Sequence, residues 1–288
     1  MGSPDHIPEK EHKKENNLLV LMDFSEASYV ALKYTIAIAK LVKGNISVLH
    51  VANPDEIVDT DNVAAAIKAI ESETTKIENK LESILEIITA EDIQATSHYS
   101  IGNIINELEY QIEQVHPDLV VVGKKKKKAR FSGKISNYLL NKYTGSLLIV
   151  DEDAEFKINL KIAFGCNSGM LNSHDPHIIF ELDKHTETSL ILLTVRTPAE
   201  STEKIDIPTT WQSSDGKDRS IHCESQESST VVRGLVEHIA EKNIELLCIG
   251  RGKPRGFFQN LFFSQGTTMA EVINKVHIPI LVIRCNSK

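Results

Sequence analysis

The sequence predicts an α/β chain folded as two tandem doubly wound parallel sheets of five strands each, with helices on both faces and the halves packed as an internal pseudo-dimer. Three observations lead there. Short, nearly uninterrupted apolar runs alternate with segments of helical periodicity, the pattern of a parallel sheet buried on both sides. The pattern occurs twice, at offsets of 127 and 133 residues on either side of one loop. The chain has 288 residues, about twice the ~150 of an average domain.

In the first half, residues 17–22 form an apolar strand followed by Asp23-Phe24-Ser25-Glu26. Ser25 is placed to cap a helix whose apolar face runs through Ala27, Ala31, Leu32, Ile36, Ala39 and Leu41. After Gly44 comes a β-branched strand, residues 45–51. A long helix follows, with Val63, Ile67, Ile70, Thr74, Ile77, Leu81, Ile84 and Ile88 spaced alternately by four and three, so its apolar stripe is expected to be buried. A third strand near 95–100, a helix from 103 to 114 and a fourth strand ending at Gly123 come next. A Lys-rich loop, a helix near 135–142 and a last strand, 146–150, complete the half.

The second half repeats this order with strands at 161–165 and 189–195 and a helix over 176–182. A shift of 127 residues superimposes Leu108, Ile112 and Leu119 to Gly123 on Leu235, Ile239 and Leu246 to Gly250. A shift of 133 superimposes Gly133 and residues 147–150 on Gly266 and residues 280–283. Only about two dozen residues separate the second and third strands of this copy, so the long helix is lost or reduced there. The expected organisation is a polar, disordered lead-in (1–15), a first domain (16–151), an acidic linker (152–157) and a second domain (158–288).

A net charge of −8 gives no global attraction to nucleic acid or to an anionic membrane. No run approaches the ~20 apolar residues of a membrane span, and the polar start has no signal-peptide core. The four cysteines lack a C-x-x-C pairing and sit mostly in apolar runs, so a reducing, cytoplasmic setting is expected.

Residues 20–26 (VLMDFSE), 48–51 (VLHV) and 118–123 (DLVVVG) resemble the universal stress protein family, and the resemblance extends over nearly the whole chain, twice. It implies a Rossmann-like, adenine-nucleotide alpha-hydrolase-like fold and a stress-response sensor or regulator rather than an enzyme. It also implies that the two halves pair through their last strands, Ser146 to Val150 and Pro279 to Ile283, which are apolar and would otherwise leave an exposed edge. In nucleotide-binding members a Gly-x2-Gly-x9-Gly-(Ser/Thr) loop after the fourth strand holds the phosphates, and an Asp ending the first strand helps hold the adenosine. Such a loop is an anion site at a helix N-terminus. Carried over, ATP or AMP would be held by Asp23, Val51, Gly123 and Gly133 in the first copy and by Asn167, Gly250, Gly256, Gly266 and Thr267 in the second.

Both loops depart from the pattern. Gly123 and Gly133 are ten apart where the family has thirteen, and Lys134 stands at the Ser/Thr position. Gly250 and Gly266 are sixteen apart, yet Gly256-x9-Gly266-Thr267 keeps the later part of the motif. Asp23 is retained in the first copy, whereas Asn167 or Cys166 replaces it in the second. The phosphates of a bound nucleotide are therefore expected in the second half. The Lys124–Lys128 run is read as a solvated loop, with an anion clamp as the sharper alternative.

Other motifs carry less. His174 and His177 suit a surface capping segment better than zinc, and no metal site is identified. Ser168 is one place off a nucleophile elbow and lacks an assignable base. Three functional readings stay open: a regulator with degenerate ATP or AMP sites, a ligand-free module for protein partners that the sequence leaves unknown, and a weak ATP hydrolase. A further homodimer is compatible with each.

Overall fold

The computed structural model describes residues 16–57, 62–125, 131, 133–157, 159–165, 177–198, 210–212, 218–251 and 266–284. The expected lead-in over 1–15 lies outside these residues. The first half runs β1 (Asn16–Leu21), α1 (Glu26–Val42), β2 (Gly44–Ala52), α2 (Pro54–Ile57), α3 (Val63–Thr89), β3 (Ala95–Ile101), α4 (Ile104–Val115), β4 (Leu119–Lys124), α5 (Lys134–Asn141) and β5 (Leu147–Asp151). The second runs β6 (Ile162–Gly165), α6 (His177–Asp183), β7 (Leu190–Arg196), β8 (Thr210–Gln212), β9 (Asp218–Glu227), α7 (Val231–Lys242), β10 (Leu246–Gly250), α8 (Gly266–Lys275) and β11 (Ile280–Ile283).

Helix ends follow from local chemistry. The Ser25 hydroxyl accepts the Ser28 amide at the start of α1, and Lys43 leaves that helix in a left-handed conformation. Asn62 and Asn103 cap α3 and α4 in the same way, each side-chain oxygen accepting two amides of the first turn.

The strands form one continuous sheet ordered β3-β2-β1-β4-β5-β11-β10-β6-β7-β9-β8. Within each half the neighbours run parallel except β8 against β9, and the order reverses between β1 and β4 and again between β6 and β10. The seam is β5 against β11, antiparallel, with Leu148 opposite Leu281. The last strands thus meet as the family resemblance implies, and both edges disappear into the sheet. Strands β5, β10 and β11 are buried along their whole length, as strands covered on both faces must be.

Two expectations need correction. Among the described residues the second half carries six strands, because β8 pairs antiparallel with β9 at the outer edge, where the first half ends on β3. The stripe of α3 is buried only from its middle onward: Ile77, Leu81, Ile84 and Ile88 are in the core, while Ile67 is 51% and Val63 74% exposed. A helix of 27 residues is about 40 Å long, whereas β3, with seven residues, spans only about 23 Å. The first turns of α3 therefore overshoot the sheet that buries the rest.

Candidate functional site

The reversal between β1 and β4 leaves a crevice at the carboxyl ends of the strands, where open α/β sheets take ligands. A cleft of about 510 Å³ opens there, within the ~300–1,000 Å³ typical of small-molecule sites. Leu21, Leu49, Val51, Ile104, Leu108 and Val122 give it an apolar floor. Asp23, Lys125, Lys134 and the first turn of α5 form its polar rim.

Four residues singled out by the sequence, Asp23, Val51, Gly123 and Gly133, meet in this cleft. Asp23 leaves β1 just before Phe24, whose φ of 56° is left-handed. Lys125 lies 2.6 Å from one Asp23 carboxylate oxygen, and the Ser25 amide and hydroxyl donate to the other. Burial alone would raise the pKa of Asp23, but these partners, Lys125 first, outweigh it and hold the carboxyl near pH 2. Next to Val51, the His50 Nδ1–H donates to the Met22 carbonyl at 2.7 Å. Burial holds that imidazole below its ordinary pKa, and its ring stacks on Tyr99 and lies tilted at 39° to Phe24.

The two glycines differ. Gly123 lies against α1, where an added Cβ would stand 2.3 Å from the Ala27 carbonyl oxygen, so its missing side chain serves helix–strand packing. Gly133 has φ +118° and open space around its Cβ position, and it starts α5 without a side-chain cap. The opening amides of α5 therefore face the cleft with the positive end of the helix dipole, flanked by Lys134.

The Lys run divides. Lys124 is 8% exposed; its ammonium donates to the carbonyls of Ile273 (3.0 Å) and Val276 (2.7 Å) at the end of α8 and lies 2.8 Å from Asp151 as an ion pair. It belongs to neither a solvated loop nor an anion clamp. Lys125 pairs with Asp23, and Lys126, Lys127 and Lys128 lie outside the described residues. Arg251, which sequence reading passed over, is 7% exposed and donates to the carbonyls of Leu139 and Leu140 at 3.0 Å and of Gly145 at 3.3 Å. The signal was present: Lys124 and Arg251 are the cations that directly follow the closing glycine in each copy of the repeat.

In the second half, Gly250 ends β10 and is buried, and Gly266 and Thr267 open α8. Asn167, Cys166 and Gly256 lie outside the described residues, as do His174 and Ser168. Among the described residues no cluster of His, Cys, Asp or Glu suits a metal ion, and no helix is long and apolar enough to cross a membrane.

Residues 15–151 match the universal stress protein family model. This half of the chain belongs to that family. No curated protein sequence matches the chain. A universal stress protein from Archaeoglobus fulgidus superposes with a TM-score of 0.69 at 18% identity, covering 94% of this chain and 99% of that one. A structure from Pseudomonas aeruginosa, described as functionally unknown, superposes with a TM-score of 0.57 at 13% identity, covering 94% and 93%. These likenesses establish that the universal stress protein fold extends through both halves, in the arrangement of those two-fold-length neighbours.

Proposed function

We propose that the protein is a stress-response regulator of the universal stress protein type that binds an adenine nucleotide, ATP or AMP, in the first-half cleft. It acts by binding ligand and protein partners rather than by catalysis. The observation that carries this reading is the meeting of an apolar, nucleotide-sized floor with the uncapped N-terminus of α5 and with Asp23 at the opposite rim. An adenine ring suits the floor, a ribose suits the carboxylate, and phosphates suit the α5 amides with Lys134. On binding, Lys125 would exchange Asp23 for a phosphate, one anion for another.

The ion pair of Lys125 with Asp23 also favours a second reading, in which the cleft closes on itself and the chain is a ligand-free interaction module. Calorimetric titration of ATP and AMP into the intact protein, Gly133→Val and Gly266→Val decides between them, with melting curves to confirm folding. Binding that weakens at least ~10-fold in Gly133→Val and survives in Gly266→Val is the expected result, since a β-branched residue at φ +118° disrupts the α5 entry. Loss confined to Gly266→Val moves the phosphates to the second half. No binding to intact protein selects the ligand-free module.

A further inference from the structure

The cleft belongs to the first half, yet the second half holds its walls. Phe131, which lines the cleft and is buried, donates its backbone N–H to the Asn274 side-chain oxygen in the last turn of α8. Lys124, also in the lining, is fixed by the carbonyls of Ile273 and Val276 in that same turn. From the opposite direction Arg251 grips the Leu139 and Leu140 carbonyls at the end of α5, whose first turn is the cleft rim. Each cation thus satisfies the orphan carbonyls of the other half's last helix, where a positive charge is also favoured by the dipole. A helix of eight residues has little stability of its own. Its placement depends on what holds its ends, and a planar guanidinium fork fixes one of them.

We propose that Asn274 and Arg251 are positioning residues through which the second half sets the conformation of the first-half cleft and thereby its affinity for ligand. The affinity component rests on the nucleotide reading above; the conformational component does not. Linkage makes the effect reciprocal, so ligand in the cleft shifts the last turn of α8 in return.

The test uses the full chain with Asn274→Ala and Arg251→Met, and with Asn274→Asp and Arg251→Lys as conservative partners. Two quantities are read: the methyl NMR signals of Val51, Ile104 and Leu108 in the cleft, and ATP affinity by calorimetry. Both disrupting variants should move the methyl signals and weaken ATP binding about fivefold, the worth of roughly one net hydrogen bond. Asn274→Asp keeps an acceptor for the Phe131 amide and should restore both readouts, which a merely structural role would not require. Unmoved methyl signals overturn the proposal, and unchanged ATP affinity overturns its affinity component while leaving the nucleotide site standing. If the intact protein takes up no ATP, the nucleotide reading fails and the methyl signals alone decide whether the halves are coupled. Should Arg251→Met not fold, Asn274→Ala decides, because Asn274 is only partly buried.

Discussion

A methyl group at Gly123 would run into one peptide unit of α1, with the Ala27 carbonyl carbon at 2.4 Å and the Ser28 nitrogen at 2.8 Å besides the Ala27 oxygen. Backbone cannot swing aside, so Gly123→Ala must push α1 off β4. Denaturant unfolding should show a loss of roughly 3 kcal/mol or more, at the upper end of overpacking costs. Gly133→Ala meets no neighbour and should cost only the backbone strain of φ +118°, about 1–3 kcal/mol. Asp23 gives a pH signature. Its folded pKa of about 2 lies below its ordinary value of 3.8, so the pair with Lys125 stabilises the fold above about pH 4 and loses that contribution as pH falls toward 2. The carboxylate is 54% exposed, which limits the effect to at most ~1 kcal/mol. Asp23→Asn should therefore be slightly less stable than the parent at pH 7 and equal to it at pH 2. Among five consecutive lysines only Lys124 is marked in the sequence, by its place after the closing glycine; the pairing of Lys125 with Asp23 was not legible, because nothing local distinguishes it from the lysines that follow.

At the scale of elements, the helix α3 offers an internal comparison. Ile77 is 3% exposed and Ile67 51% exposed on one helix. Ile77→Asp should cost several kcal/mol, because an unpaired carboxylate enters the core. Ile67→Asp should stay within about 0.5 kcal/mol, the range of exposed substitutions. Thermal melts of the two variants test this directly, and equal losses would place the whole stripe in the core. The periodicity announced one buried face and was right about its direction. What it lacked was the length of the sheet beneath, which no local pattern encodes. Strand β9 was harder to read for the opposite reason: Asp218–Glu227 (DRSIHCESQE) has almost no apolar alternation, since it lies next to the outer strand and is held by backbone pairing to β7 and β8.

Across the whole molecule, the shared strand order of the two halves was legible because apolar runs and closing glycines recur at offsets of 127 and 133 residues, and the β5–β11 seam was implied by the family resemblance, which also spares two apolar strands an exposed edge. The crossed grips of Lys124 and Arg251 add to that seam, so the halves should unfold together. Leu148→Asp, opposite Leu281 in the sheet, should lower stability by at least ~3 kcal/mol while calorimetry still shows a single transition for the intact parent. Two separated transitions in the parent would mean that the halves are independent. The central claim, that the first-half cleft takes an adenine nucleotide, is tested most directly by the electron density of a crystal grown with ATP. Density is predicted over the floor of Val51, Ile104 and Leu108, with phosphates against the amides of Lys134 to Ser136. Nucleotide density confined to the N-terminus of α8, or none in a crystal whose cleft is open to solvent, would contradict it.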